Sequence, residues 1–177
     1  MTEQKQSFRD LPWTERVKRL GDEAERVYRL DRDKRRVPYA RHGLLRPPFN
    51  GLVMAKLELW EKHAPDFMEV QGEGREQHPV LVEVQGMGRD QTLKLKDEKH
   101  HGLAWWEDIH PVYLFVWNNV TRQIIDVPLL QLSLMVVEAH MRGDVGVFDP
   151  DTKAKPYTRL TWEKLVANVE PRRFTRA

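Results

Sequence analysis

APDFMEVQGEGREQHPVLVEVQGMGRDQTLKLKDEK, residues Ala64 to Lys99, is the stretch on which the fold turns. Within it Val80–Gly86 alternates, with Val80, Val82 and Val84 on one face and Leu81, Glu83 and Gln85 on the other. A period of two predicts a strand. A second strand is predicted over Asp66–Gln71, opened by Pro65-Asp66. Between them Gly72–His78 is Gly-rich and polar, so the two runs should fold back as a hairpin. A turn centred near Arg75 sets Asp66 opposite Val84, next to Glu83 and Gln85. A slip of one residue would turn Asp66 to the other face. A carboxylate and an amide then stand where a core strand carries Leu or Ile. Asp66 and Glu83 are placed to converge on one hard divalent cation, because carboxylate oxygens and waters are what Mg²⁺ takes.

Pro65-Asp66, a gap of 16 residues and Glu83-Val84-Gln85 together resemble the PD-(D/E)XK nuclease signature. The position usually held by Lys is Gln85, as in a minority of that superfamily. The downstream residues Gly88-Arg89-Asp90, Leu93-Lys94-Leu95-Lys96, Glu98-Lys99 and Tyr113–Trp117 resemble small resolvase-type nucleases, especially phage-encoded ones. The likeness runs from about Gly21 to Pro128. It implies an α/β fold of restriction-endonuclease type, a central mixed β-sheet flanked by helices. It also implies metal-dependent hydrolysis of DNA phosphodiesters, on branched DNA in the resolvase case, by a homodimer. Asp66, Glu83 and the Val84 carbonyl would hold Mg²⁺ or Mn²⁺, and Gln85 would position the water. Gly21-Asp22-Glu23-Ala24-Glu25 resembles the first-helix pattern of these nucleases, in which Glu25 would support the metal site. Glu25 is preferred to Glu23 for this, and the alternative is that both are helix-surface charges. Arg89, Lys94, Lys96 and Lys99 would face phosphates, or simply lie solvated. Lys94 or Lys96 would supply the positive charge that Gln85 lacks.

The rest of the chain bounds these readings. At 177 residues it is expected to form one domain. That domain comprises a basic helical region over 1–49, a core over 50–140 and an extension over 141–177. Hydrophobic residues make up 40%, enough for a buried core, and no apolar run is long enough to span a membrane. The polar start, MTEQKQSFRD, does not read as a signal peptide. With no cysteine, disulfide frameworks and thiolate zinc sites are excluded. A host-cytoplasmic or virion setting is the simplest expectation. The net charge of +2 hides an asymmetry: residues 1–46 carry 13 Lys/Arg against 8 Asp/Glu, 47–140 carry 8 against 14, and 141–177 carry 8 against 5. A nucleic-acid protein of this composition would draw its basic surface largely from its ends.

Helices are predicted over 11–36, Asn50–His63, Asp97–Ile109 and Leu129–His140, each from apolar positions at 3–4 spacing. In the last of these Leu130, Leu134 and Val137 share one face. Arg32–Arg36 reads as a phosphate-contacting stretch or a solvated helix end. Val112–Trp117 is apolar on both faces, as in a strand buried on both sides, and Arg122–Val127 returns as another. His100, His101 and His110 do not make a convincing metal site, since adjacent helical residues point about 100° apart. Asp144–Asp151 reads as a loop, Tyr157–Leu160 as a strand, and Thr161 as the cap of a short helix. A function of another class also fits: a non-catalytic structural or interaction protein, such as a phage virion or tail component, or a DNA-binding module without turnover. Gln85 in place of Lys and the acidic core motivate it.

Overall fold

A computed structural model describes residues 12–42, 58–148 and 155–175. It is a mixed α/β architecture. Helix α1, Trp13–Arg35, buries Ala24, Val27 and Tyr28 at helical spacing and ends where Arg36 turns left-handed and bonds back to the carbonyls of Arg32 and Asp33. There follow β1 (Tyr39–Arg41), α2 (Leu59–Lys62), β2 (Phe67–Gln71) and a single 3₁₀ turn (Gly74–Glu76). Next come β3 (His78–Met87), β4 (Thr92–Lys96), α3 (Asp97–Glu107), β5 (Val112–Asn118), β6 (Gln123–Pro128) and α4 (Leu129–Met141). The chain continues with β7 (Val145–Phe148), β8 (Lys155–Thr161), α5 (Trp162–Val166) and β9 (Arg172–Arg173).

Six strands form the central sheet in the order β1-β2-β3-β5-β6-β9, and β4-β8-β7 form a smaller antiparallel one. Only β3 and β5 run parallel within the described sheets, joined by the crossover through β4 and α3. The alternation read in Val80–Gly86 separates two cores. Val80, Val82 and Val84 pack with Ala24, Val27 and Tyr28 under α1. Leu81 and Met87 pack with Leu103, Leu132 and Leu165 under α3, α4 and α5. Both faces of β5 are covered, which is why its sequence is apolar throughout. Gly86 lets α1 approach: a Cβ there would stand 2.7 Å from the Leu20 carbonyl oxygen. That close crossing brings the first helix over the end of β3.

Several expectations are corrected. The hairpin forms, but its register pairs Phe67 with Val82, one residue away from the predicted pairing. Continued by one step it sets Asp66 across from Glu83, not Val84, so the two carboxylates share a face. The glycine-rich segment tightens into a 3₁₀ turn, which moves the hairpin's centre by half a residue. Of the helix predicted over Asn50–His63, residues 50–57 lie outside the described residues, and Leu59–Lys62 is helical. Ile109, expected to point inward, lies beyond the end of α3 and is exposed. Val145–Phe148, expected as part of a loop, is a strand, because pairing with β8 satisfies its backbone. The stripe of Leu130, Leu134 and Val137 faces solvent, while Leu129, Leu132, Met135, Val136 and Ala139 face the core. Among the described residues no helix is long and apolar enough to cross a membrane.

Candidate active site

Asp66 immediately precedes β2, held by a backbone bond from His42 N–H to its carbonyl at 3.0 Å. Past the last paired residue, its carboxylate replaces the ladder: Val84 N–H donates to Asp66 Oδ2 at 2.9 Å. A residue's N–H and C=O leave an antiparallel strand on the same side, so the Val84 carbonyl is directed to this edge as well. Glu83 is 1% exposed, in a row with Leu81 and Gln85. Gln85 Nε2 donates to Glu83 Oε1 at 2.6 Å. Lys99 Nζ lies 2.6 Å from the same oxygen. The other oxygen, Glu83 Oε2, is buried and has no hydrogen-bond partner among the described residues.

Lys99 reaches Glu83 from the third residue of α3, not from a strand. Lys94 and Lys96 do share a face of β4, as expected, but it is the exposed face, and Lys94 pairs with Asp90 at 3.1 Å. Lys99, expected to face phosphates or lie solvated, is held at the Glu83 carboxylate with its side chain 21% exposed. Arg89 is exposed in the turn between β3 and β4.

Burial pushes the Glu83 carboxyl up, opposed by Lys99 and reinforced by Asp66, to about 7. Two carboxylates near each other, one of them out of water, resist double ionisation. Glu25 is buried on α1 and taken by Arg41, whose Nη1 lies 2.7 Å from Glu25 Oε2. The hydrogen bond Arg41 donates to Glu25, outweighing desolvation and joined by the charges of Glu25 and Asp66, holds Arg41 above its ordinary value. Arg41 thus links Glu25 electrostatically to Asp66. It was not foreseen, because only the pairing of Arg41 with Phe67 brings β1 to this place.

The opposite face carries a second ionic cluster. The near-repeat Glu69-Val70-Gln71 places Gln71 Nε2 2.7 Å from Glu69 Oε1, as Gln85 stands to Glu83. Here the cation is Arg32, 2% exposed, 2.6 Å from Glu69, 2.8 Å from Asp31 and 2.9 Å from Asp126. Burial opposes its charge, but Asp126 and Glu69 outweigh burial and raise its pKa. Arg172 joins Asp31 at 3.0 Å and Asp126 at 2.6 Å. Arg32, expected to contact phosphate or solvent, does neither.

Among the described residues no cluster of three or more His, Cys, Asp or Glu side chains is placed to hold a metal ion. His100 bonds to Ser133 at 2.8 Å, and His101 is exposed. The donor set of Asp66, Glu83 and the Val84 carbonyl is all oxygen and sparse. It fits a hard cation that keeps most of its waters, as Mg²⁺ does, and the partnerless Glu83 Oε2 is the atom such an ion would satisfy.

No family model and no curated protein matches this sequence. Among solved structures the chain is similar to Archaeoglobus fulgidus Hjc, a Holliday junction resolvase from an archaeal hyperthermophile. That match has 13% identity, spans 81% of this chain and 85% of the other, and has a TM-score of 0.45. It is also similar to D212, a nuclease from a fusellovirus, with 11% identity over 83% of each chain and a TM-score of 0.41. These are distant likenesses of fold, and the functional reading rests on the residues at the Asp66–Glu83 edge.

Proposed function

We propose that this protein is a metal-dependent DNA endonuclease that hydrolyses phosphodiester bonds, with branched DNA as its resolvase-like substrate. The observation that carries the reading is Glu83: a buried carboxylate with one oxygen bonded to Gln85 and Lys99 and the other without a partner among the described residues. An oxygen left buried without a partner costs about 1–3 kcal/mol, so a ligand at that atom is favoured. Asp66, Glu83 and the Val84 carbonyl would hold Mg²⁺ or Mn²⁺. When bound, the ion would supply Lewis-acid stabilisation of charge at the scissile phosphate.

The chain's own residues have separable parts. Gln85 orients the attacking water through its amide and does not take its proton, since an amide is no base near neutral pH. Lys99 carries the positive charge that the strand position lacks; it favours the ionised form of Glu83 against burial and stabilises the phosphate oxyanion as charge builds. Glu25 and Arg41 fix the electrostatic surroundings of Asp66. Arg89, Lys94 and Lys96 lie on exposed backbone toward which a duplex would pass.

The test is cleavage of labelled linear, flapped and four-way DNA in Mg²⁺ and in Mn²⁺ by the wild type, Asp66→Ala and Glu83→Ala. Cleavage by the wild type, lost in both variants, is expected, with the four-way substrate preferred. No cleavage of any substrate in either metal would sink the enzyme reading. A second reading, a non-catalytic assembly protein of a phage virion, is favoured by one contact. Lys99 already neutralises Glu83, so the pair is complete electrostatically without an ion. That reading predicts folded, assembling protein with no turnover.

A further inference from the structure

The three-stranded sheet is apolar on one side and basic on the other. Leu93, Leu95 and Leu160 turn into the core, so Lys94, Lys96 and Arg159 face solvent. The pairing of β4 with β8 sets Lys94 directly across from Arg159, and Lys96 across from Tyr157. Side chains so paired stand about 5 Å apart at Cβ, and like charges there are destabilising. Lys96 lies about 7 Å further along β4 on the same face. Arg89 is exposed in the turn that leads into β4. Two carboxylates border these cations: Asp90 pairs with Lys94 at 3.1 Å, and Asp144 is taken by Lys164. The third strand is shaped to the same face. Gly146 pairs with Tyr157, and a Cβ on it would stand 2.5 Å from the Tyr157 ring and 2.9 Å from Arg159 Nη2. With no Cβ there, the ring lies across β7, and the Arg159 guanidinium stands 5.6 Å from its centroid. Tyr157 is 8% exposed, so this face presents charge rather than an open ring.

We infer that the solvent face of β4, β8 and β7 docks the backbone of a DNA duplex, so that the arm beside the cleaved bond must be double-stranded. Charge complementarity selects a polyanion, because an anion laid across Lys94 and Arg159 relieves their repulsion. Two features select a duplex over a single strand. A duplex carries a charge every ~1.7 Å of its axis, twice the density of one strand. Single-strand binding leans on open aromatic rings for base stacking, and the one ring among the side chains described on this face is covered. The face also adjoins the site. Lys96 caps α3, and Lys99, three residues on, holds Glu83, so a duplex lying on β4 comes within about one helical turn of the residue that binds the carboxylate. The choice of DNA rests on the nuclease reading, while the basic face itself stands on the strand register.

Anisotropy titrations of a labelled blunt duplex and of one of its strands, in EDTA so that nothing is cleaved, test this. The wild type should bind the duplex more tightly than the strand. Lys96→Ala and Arg159→Ala should each weaken duplex binding by about tenfold at about 0.1 M salt, and each lower the slope of log affinity against log salt by about 1. Arg159→Lys should keep the wild-type slope, which separates lost charge from a change of fold. An unchanged slope in both alanine variants overturns the proposal, as does equal affinity for the single strand. Displacement of the duplex by polyglutamate at equal charge concentration overturns the choice of partner. Cleavage is read separately. A wild type that binds duplex through these residues and cuts nothing in Mg²⁺ or Mn²⁺ sinks the nuclease reading and leaves this face standing. Cleavage that both alanine variants retain, with duplex binding unchanged, does the reverse.

Discussion

Glu83 has a folded-state pKa of about 7 against an ordinary 4.5, with burial as the main cause. Between those values the folded protein binds one more proton than the unfolded chain, so stability falls as pH rises through that window and levels off above it. The difference amounts to roughly 3 kcal/mol. Urea unfolding across the window should show the fall in the wild type and a flatter profile in Glu83→Gln. Lys99 pulls in the other direction, so Lys99→Met should move the Glu83 titration further up, as followed by carboxyl carbon NMR. A Glu83 titration unmoved by Lys99→Met would separate the two groups and remove the role given to Lys99. Spacing in the sequence brought Asp66, Glu83 and Gln85 to one place. It did not single out Lys99, because the reach of a helix lysine to a strand carboxylate depends on how α3 packs across β3, a contact between elements.

At the scale of elements, the sheet's outer face is tied by charge. Arg32 on α1 meets Glu69 on β2 and Asp126 on β6, and Arg172 on β9 meets Asp126 as well. The network clamps the first helix and the last strand to the sheet. Removing the cation leaves buried carboxylates uncompensated, so Arg32→Met should destabilise by about 3–5 kcal/mol in chemical denaturation. Most strands and helices were legible, since periods of two and of about 3.6 mark them in Val80–Gly86, Val112–Trp117 and Leu129–His140. The hairpin register was missed by one residue because turn composition does not fix turn conformation: Gly72 and Gly74 take positive φ and shorten the loop into a 3₁₀ turn. Which side of α4 faces the core was not legible, for a different reason. Two apolar stripes give periodicity no means to choose between them.

For the whole molecule, the basic ends contribute less free charge than their composition suggests. Arg32 and Arg172 are taken by the internal network, Arg41 by Glu25, and Lys164 by Asp144. DNA affinity under the proposed function should therefore depend on few contacts near the site. Arg89→Ala and Lys94→Ala should each reduce the slope of log affinity against log salt by about 1, measured by fluorescence anisotropy. A central mixed sheet was expected from the resemblance, without its six strands, whereas the three-stranded sheet of β4, β8 and β7 was not expected. Its strands are short and come from the middle and the end of the chain, so only long-range pairing reveals it.

The central claim is that Asp66 and Glu83 hold one divalent cation. Equilibrium Mn²⁺ binding to the wild-type protein, followed by water-proton relaxation on both sides of pH 7, tests it without depending on any substrate. One site per chain is predicted, strengthening as pH rises through about 7 because the metal needs ionised Glu83, and abolished in Asp66→Asn and Glu83→Gln. Mn²⁺ binding that both variants retain unchanged, or no binding by the wild type above pH 7, would contradict the account.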